Sequence, residues 1–579
     1  MVFRSRKRLA FAFALMTPFG LVMTAKAQAA DPNQTPLPTT FALDQNGVDL
    51  VNWSYVFQVA PISIGPSDQN PLTENIVLPT ERDTFSSNLR IQDPSWVTST
   101  RVSASIGPKS WSFLGGGGVA EPGAQVFVAS DHAEVYAADG TVVLFTFPSW
   151  YTPGIVGPVN FCASKVTKPN GETLTFYNED LPVQCRTLAI VSNRGYQVRY
   201  EYPTTGGFTP YRSKVTLVNS AYDYCDPSSS TCSLTRVWPS ISIAITSNSR
   251  TYSDHTGRAW TLSTANPGLT APGESTPGLT WTSENYSFPG SNGLRIGRIT
   301  SITRAGITWT YTYPSSDPII GGGSGNLMIV QDPLGNVKRY GRSLGGSSGD
   351  PDTGEYEAPN LPYAAADGLG RVVSYGYTAQ SLLNHVQYPE GNSEHITYDS
   401  LGNVLTLAVK SKTGSGLSDL NTNYTYGTFQ GKPLTVTDTR GGVTDYTYDP
   451  VHRGILTETG PAPAVGAPRP VKRYAYSQHY AWVKSSTGTY VQAATPIWLL
   501  DTEKTCRTSA TVNGACAAGA TDEVVTTYDY GPNSGPNNLW LRGKTVTADG
   551  VTRRTCYGYD PVGNKIWQTS PRAGLTSCP

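Results

Sequence analysis

The residues that could do hydrolytic chemistry lie in one stretch rich in glycine and serine. In "GRSLGGSSG", from Gly341 to Gly349, the pattern Gly-x-Ser-x-Gly occurs twice, at Ser343 and Ser347. Such a serine is the nucleophile of many hydrolases when a strand precedes it and a helix follows it. The stretch that follows, "DPDTGEYEAPNLP", has no helical period, so a flexible loop is the better interpretation.

Other side chains that could bind a metal or a phosphate lack the required spacing. Asp350, Asp352 and Glu355 are close enough for calcium, but their spacing is not that of an EF-hand loop. The six histidines include no His-x-x-x-His pair. The "GKT" at 543–545 lacks the first glycine of a phosphate loop, because Asn538 occupies that position. We therefore predict no catalytic residue, no metal and no cofactor, and a protein that is not an enzyme.

The composition of the chain indicates which elements could position such groups. Among 579 residues, 58 are glycine, 43 are proline and only 15% are charged, which favours short segments and tight turns over long helices. The 33 tyrosines fit the half-buried faces of sheets, so we predict an all-β protein. Basic and acidic residues number 43 each and form no Lys/Arg stripe, which argues against a nucleic-acid partner.

The N-terminus has the organisation of a secretory signal peptide. An apolar run and small residues near position 29 follow a basic start, which consists of Arg4, Arg6, Lys7 and Arg8. We predict a signal peptide at 1–29, a β-rich N-terminal domain at 30–130 and a repeat array at 131–579. No later stretch is apolar enough to span a membrane, so the predicted location is secreted, cell-surface or periplasmic.

Eight cysteines in an exported chain favour disulfides over metal ligands. Many pairings are open, and adjacency in sequence is a weak argument for one set. That set is Cys162 with Cys185, Cys225 with Cys232, Cys506 with Cys516, and Cys556 with Cys578.

A glycine followed by two aromatic residues at fixed offsets recurs along the chain. The offsets are five and seven: Gly195 precedes Tyr200 and Tyr202, Gly306 precedes Tyr311 and Tyr313, Gly370 precedes Tyr375 and Tyr377, and Gly441 precedes Tyr446 and Tyr448. This alternation predicts strands with one aromatic face, each opened by a glycine in a turn. An apolar segment commonly precedes the glycine, so the repeating unit is a β-hairpin.

The strands end in a second recurrent signal, in which aspartate follows tyrosine. It occurs at Tyr398 and Asp399 in "YDSLGN", at Tyr448 and Asp449 in "YDPVHRG", and at Tyr559 and Asp560 in "YDPVGN", where Tyr557 begins the last Tyr-x-Tyr pair. Asp, Pro and Gly-Asn suit turn positions, so we assign these residues structural roles. The tyrosine pairs are expected to join neighbouring hairpins by cross-strand contact.

These motifs, with "DPLGN" and "ADGLGR", resemble the YD repeats of the RHS family over about residues 131–579. The segment "NGVDLVNWSYVFQVAPISIG" is similar to the N-terminal region of exported members. The resemblance implies antiparallel β-hairpins in a curved or spiralling sheet that forms a complete or incomplete shell, often around a variable C-terminal domain such as a toxin. The chain ends in "QTSPRAGLTSCP" without the closing region of the family, so toxin activity and self-cleavage are not expected here.

The function predicted from the sequence is a secreted scaffold that binds or encloses a protein partner or effector polypeptide. One alternative is an adhesin for cell-surface glycans, which would need exposed rings at positions such as Tyr311, Tyr446 and Tyr557. Another is the remnant of a polymorphic toxin or hydrolase system, which would need a pocket with convergent titratable groups.

Overall fold

The computed structural model describes residues 43–50, 53–78, 82–83, 87–92, 101–106, 109–114, 118–119, 124–148, 159–180, 185–203, 212–263, 266–287, 295–321, 327–342, 361–378 and 382–579. The predicted signal peptide, Ser343, Ser347 and the carboxylates at 350–355 lie outside these residues. Within them every regular element is a strand except two short 3-10 helices, Ala520–Asp522 and Pro571–Ala573. The described residues contain no helix that could cross a bilayer.

Nine short strands precede the main sheet and form three small antiparallel sheets, one of which also contains a later strand. They are β1 (Phe57–Gln58), β2 (Ile62–Ile64), β3 (Leu72–Glu74), β4 (Ile76–Leu78), β5 (Arg82–Asp83), β6 (Ser87–Gln92), β7 (Arg101–Ile106), β8 (Lys109–Leu114) and β9 (Gly118–Val119).

Of the strands that follow, β10–β46, 32 build one sheet, here called the array. In chain order the strands are β10 (Gln125–Val128), β11 (His132–Tyr136), β12 (Val142–Thr146), β13 (Val159–Phe161), β14 (Lys165–Thr167), β15 (Thr173–Asp180), β16 (Cys185–Ser192), β17 (Tyr196–Glu201), β18 (Lys214–Asn219), β19 (Ser240–Ile245), β20 (Ser249–Asp254), β21 (Ala259–Ser263), β22 (Gly268–Thr270), β23 (Leu279–Ser287), β24 (Arg295–Arg304), β25 (Ile307–Thr312), β26 (Leu327–Gln331), β27 (Val337–Arg342), β28 (Pro362–Ala366), β29 (Val372–Tyr377), β30 (Leu383–Gln387), β31 (Ser393–Tyr398), β32 (Val404–Lys410), β33 (Leu420–Tyr426), β34 (Pro433–Thr437), β35 (Val443–Tyr448), β36 (Ile455–Thr459), β37 (Val471–His479), β38 (Trp482–Lys484), β39 (Tyr490–Gln492), β40 (Ile497–Cys506), β41 (Thr511–Val512), β42 (Ala515–Cys516), β43 (Glu523–Tyr530), β44 (Leu541–Ala548), β45 (Val551–Tyr559) and β46 (Lys565–Gln568).

Neighbours in the array are neighbours in sequence, and every pairing is antiparallel. Only β13, β38, β39, β41 and β42 lie outside the array; β13 pairs with β6, and the other four form two small hairpins. The order runs from β10 to β46 without returning to its first strand, so the sheet is not closed into a barrel. The prediction of an all-β protein made of consecutive antiparallel hairpins is therefore confirmed.

Contacts between residues distant in sequence show that the array coils back upon itself. Turns of β11–β19 meet loops that follow β35, β37, β43 and β45. The pairs include Gly140 with Arg453, the Asn170 carbonyl with the Trp498 amide (2.9 Å), the Asn219 amide group with Asn537 (2.8 Å), and the Ser220 carbonyl with the Lys484 amide (2.8 Å). Hydrogen-bonded partners here lie as far as 344 residues apart in the sequence. The later strands thus stack on the turns of the earlier ones, as in a spiral.

Two large apolar clusters lie between the N-terminal strands and the array. The first joins residues of β2–β4 and β6 to the face of β11–β20, with Phe145, Ile190 and Leu217 fully buried. The second surrounds Trp53 on the face of β22–β28. An antiparallel sheet can leave one face in water. The N-terminal strands therefore decide, by the faces they cover, which parts of the array are buried.

Candidate functional site: the tyrosine face of the array

The aspartates of the repeat build the turns between strands. In the turn after β31, one carboxylate oxygen of Asp399 accepts hydrogen bonds from the amides of Leu401 (2.9 Å) and Asn403 (2.8 Å). Gly402 in the same turn has φ 78°, a value that side chains disfavour. The carboxylates of Asp332, Asp367, Asp438 and Asp560 accept the corresponding amides in their own turns. These carboxylates act on the backbone, which is a structural role.

Each glycine at the start of a predicted strand is the last residue of its turn. Gly195, Gly306, Gly370 and Gly441 have φ values of 89°, 77°, 77° and 84°. Each precedes a strand that carries a tyrosine pair, namely β17, β25, β29 and β35. The recurring offset from glycine to tyrosine therefore reflects a turn whose last residue has a positive φ.

A β-bulge lies immediately before the second tyrosine in most of the later repeats. At β31, Thr397 pairs with Thr406 but Tyr398 pairs with Val404, so Leu405 is an extra residue in the partner strand. The same shift precedes Tyr377, Tyr426, Tyr448, Tyr476, Tyr530 and Tyr559. A bulge bends the strand and increases its twist, so regular bulges give the array its curvature.

The hydroxyl of the second tyrosine binds the bulge of the preceding repeat. The Tyr398 hydroxyl donates to the carbonyl of Leu383 at 2.5 Å, and Leu383 is the residue that pairs with Tyr377 across the preceding bulge. The same bond joins Tyr202 to Thr187, Tyr313 to Ile299, Tyr377 to Pro362, Tyr448 to Pro433, Tyr530 to Leu500 and Tyr559 to Leu541. Each repeat thus donates a hydrogen bond to a backbone carbonyl of the repeat before it.

This set of carbonyls was missed by sequence reasoning. In four repeats the accepting residue lies 15 positions before the tyrosine, and in two of these it is a proline at the first position of a strand. Proline is tolerated there because its missing N–H is not needed while its carbonyl stays available. The constant spacing is the signal that could have revealed the bond.

The first tyrosines share one side of the sheet, here called the tyrosine face, which carries Tyr311, Tyr375, Tyr424, Tyr446 and Tyr474. Its upstream part is covered by the N-terminal segment, defined as residues 43–50 and 53–57. Tyr311, only 2% exposed, donates to the Asp44 carboxylate at 2.6 Å and accepts from the Asn46 amide group at 2.8 Å. Burial raises the pKa of Asp44, although the bond from Tyr311 opposes that rise.

An aromatic anchor fixes the other end of the N-terminal segment. The Trp53 ring is fully buried, with the Arg342 guanidinium 3.5 Å from its centroid and the Tyr313 ring at 4.8 Å. The Trp53 carbonyl accepts a hydrogen bond from the Ile299 amide at 2.9 Å. A segment of turns and short bridges is therefore held on the tyrosine face by a buried aromatic side chain and by polar contacts at the tyrosine hydroxyl.

Downstream, the tyrosine face is only half-buried. Tyr424 and Tyr446, and later Tyr557 in β45, retain intermediate exposure, in contrast to Tyr311. Carboxylates lie beside these rings. The hydroxyl of Tyr474 donates to Glu458 at 3.1 Å, and that of Tyr528 donates to Glu503 at 3.3 Å.

A polar cleft of ≈ 500 Å³ near the end of the chain is the best candidate for a catalytic centre. Its lining includes His479, Asp501, Asp529, Tyr530 and Arg542. Asp501 and Arg542 are the extra residues of two successive bulges, which explains why charged side chains from neighbouring repeats meet here. Sequence reasoning missed the cleft because bulge positions are not visible in the alternating pattern.

The geometry of this cleft does not match a catalytic triad. The Ser477 hydroxyl lies 2.8 Å from Nε2 of His479, and the Asp501 carboxylate lies 3.3 Å from the same nitrogen. In a serine hydrolase the carboxylate accepts a hydrogen bond from one ring nitrogen and so orients the imidazole. The opposite nitrogen takes the proton from the serine hydroxyl. Here both compete for one nitrogen. The His479 ring also packs on Tyr530 at 5.2 Å, which suits a structural role.

The cysteines of the described residues form disulfides. Cys225 pairs with Cys232, Cys506 with Cys516 and Cys556 with Cys578, as adjacency in sequence suggested. Cys162 is also disulfide-bonded, while the side chain of Cys185 lies outside the described residues. Asp522 lies beside Cys506 and Cys516, but it accepts hydrogen bonds from Thr508 and Ser509, and both sulfurs are already bonded to each other. This cluster orders a loop and lacks free thiolates for a metal.

Comparison with known proteins gives limited information. No family model matches the chain, and no curated protein matches it. Among solved structures, the chain is similar to one in a crystal structure of TcdB2-TccC3 with Cdc42, at 12% identity and a TM-score of 0.31, over 89% of this chain and 26% of the other. It is also similar to one in the Tc holotoxin pore of Photorhabdus luminescens, at 10% identity and a TM-score of 0.27, over 87% and 26%. This chain thus spans about a quarter of the length of each of these chains. Membership of the RHS family stays a prediction.

Proposed function

We propose that this protein is an exported structural scaffold, not an enzyme, and that its array binds or encloses a polypeptide partner on the tyrosine face. The observation that carries the proposal is the N-terminal segment, a stretch of turns and short bridges that the array holds through Tyr311, Trp53 and Arg342. The same face continues with half-buried tyrosines at Tyr424 and Tyr446. A partner of similar chemistry would therefore meet similar rings.

The alternatives have weaker support. A glycan-binding adhesin needs exposed aromatic platforms, but Tyr311 is buried and Tyr446 and Tyr557 are half-buried. A hydrolase needs a nucleophile activated by an oriented base, and the arrangement of Ser477, His479 and Asp501 does not provide one. The proposal of export rests on the basic and apolar N-terminus together with the disulfides.

A peptide that copies residues 43–57 tests the proposal, because its chemistry is known to suit this face. In the intact protein the upstream face is already covered, so a fluorescent peptide added in solution reports on the downstream part. We expect saturable binding, measured by fluorescence anisotropy. An unchanged anisotropy up to the solubility limit of the peptide, together with saturable binding of sialylated or neutral oligosaccharides, would favour the adhesin instead.

A matched pair of variants locates the binding. Tyr424→Asp places a charge on the tyrosine face of β33 and should weaken peptide binding. Asn421→Asp places the same charge three residues earlier, on the opposite face of the same strand, where it should have no effect because successive strand residues alternate in direction. Equal loss of binding in both variants would show that the peptide recognises net charge and not the tyrosine face.

A further inference from the structure

We infer that His385 and His395 form a two-imidazole site for a transition-metal divalent cation such as Ni²⁺, Cu²⁺ or Zn²⁺. The two residues lie directly opposite each other in the hairpin β30–β31. They are on the face opposite the tyrosine face, because their strand neighbours Val386 and Glu394 are aligned with Tyr375. The inference is therefore independent of the proposed function.

The hydrogen-bond pattern of the hairpin brings the two imidazoles close together. The amide of Tyr388 donates to the carbonyl of Asn392 at 3.0 Å, so this pair is hydrogen-bonded. Bonded and non-bonded pairs alternate along an antiparallel ladder, which makes His385 and His395 a non-bonded pair three positions further on. Side chains of non-bonded pairs approach most closely. The two ring centroids are 4.4 Å apart, at an interplanar angle of 75°.

The neighbouring strands leave room around the rings. The residue opposite His385 on β29 is Gly376, and the residue opposite His395 on β32 is Ala408. Neither has a side chain long enough to cover an imidazole. His395 is exposed and His385 is half-buried, so water molecules can complete the coordination of a bound cation.

The surrounding charges are compatible with a cation. Lys410 lies across from Ser393, and its ammonium is paired with Asp419 at 2.9 Å. The Ser393 hydroxyl lies 3.1 Å from Nε2 of His395 and can orient the ring, as hydrogen-bond partners of metal-binding histidines commonly do.

The chemistry of the ligands predicts which cations bind. Imidazole prefers Cu²⁺, Ni²⁺ and Zn²⁺, and the affinity should be highest for Cu²⁺, as the Irving–Williams order requires. Calcium and magnesium prefer oxygen ligands and should not compete. Protons compete with the cation for the imidazole nitrogens, so binding should weaken in acidic solution.

Calorimetric titration of the full mature chain with Ni²⁺ near neutral pH tests the site. We expect about one equivalent to bind, and either His385→Asn or His395→Gln to weaken that binding about tenfold or more, since two ligands act together. The control is His255→Asn, which removes an exposed histidine in the turn after β20 and should leave binding unchanged. Thermal unfolding without metal establishes that each variant is folded.

Three outcomes would overturn the inference. The first is no binding up to millimolar Ni²⁺ by the unmodified chain. The second is undiminished binding in both folded variants. The third is loss of binding only in His479→Asn, which would place the cation at Ser477, His479 and Asp501. Because none of these outcomes changes the tyrosine face, failure of the metal site leaves the proposed function untouched.

Discussion

The contact between Tyr311 and the N-terminal segment allows a quantitative prediction. Tyr311→Phe removes the hydroxyl that donates to Asp44 and accepts from Asn46. A hydrogen bond to a charged group contributes about 1.5–3 kcal/mol and a neutral one about 1 kcal/mol. The carboxylate of Asp44 is 3% exposed, so water cannot easily replace the lost donor. We expect the N-terminal segment to detach more easily by about 3 kcal/mol.

The effect should depend on pH with a definite sign. The pKa of Asp44 is raised in the folded protein above its ordinary value of 3.8, so stability falls as the pH rises from that value through the folded pKa. The hydrogen bond from the Tyr311 hydroxyl lowers this pKa and so reduces the loss of stability with rising pH. The attachment of the N-terminal segment in Tyr311→Phe should therefore be weakened most near neutral pH. At about pH 3, where Asp44 is neutral, both lost hydrogen bonds are neutral, and the loss should be about 2 kcal/mol in total.

Hydrogen exchange of the segment measures this opening directly, which suits a long array whose global unfolding is not two-state. The amides of Trp53 and Val56 are informative, since they donate to Asp49 and Gly47 within the segment. Near neutral pH we expect their protection to fall about 100-fold, at about 1.4 kcal/mol per factor of ten. Tyr398→Phe is the control, because it also deletes a hydrogen-bonded hydroxyl but lies outside the contacts of the segment. Equal protection of the segment in both variants would refute the reasoning.

Three further predictions concern the repeat itself. Tyr398→Phe should destabilise the hairpin β30–β31 by about 1 kcal/mol, seen as faster exchange there and nowhere upstream, because one neutral hydrogen bond to the Leu383 carbonyl is lost. Gly441→Ala should cost about 1 kcal/mol in local stability by the same measurement; the added carbon would meet no atom within 4 Å, so the cost comes only from φ 84°, and no change would contradict the assigned turn. Replacing Cys506 and Cys516 by serine should speed amide exchange in the hairpin β41–β42 about 100-fold, which corresponds to about 3 kcal/mol, the loop-closure value for their separation of 10 residues; unchanged exchange there would contradict a stabilising role of this disulfide.

Short-range features of the fold were accessible from the sequence. The turn at Asp399 and Gly402 depends on a carboxylate two to four residues from the amides it binds and on a residue that tolerates positive φ. Such requirements act within a few residues, so they leave a local pattern. The alternation that ends in Tyr446 and Tyr448 likewise follows from the period of a strand. These signals suffice for an all-β array of antiparallel hairpins.

The candidate site was accessible only in part. The sequence identified Tyr311 and Tyr446 as equivalent, and they are equivalent in their strands. It could not tell that Asp44, Asn46 and Trp53 cover the first of them and not the second. The bulges also escaped notice, since an extra residue such as Leu405 looks like any other member of a strand. The cleft that contains Asp501 and Arg542 was missed for the same reason, because both residues are the extra residues of bulges.

The sequence by itself determined the repeating unit, because each hairpin is specified by its own turn and its own alternation of side chains. The tertiary structure alone decided which hairpins stack, which face is covered and which charged groups converge. The bond between Asn219 and Asn537, for example, joins residues 318 positions apart. No local pattern encodes such a contact, because it depends on the twist accumulated over many bulged strands and on the free energy of closing a long segment of chain.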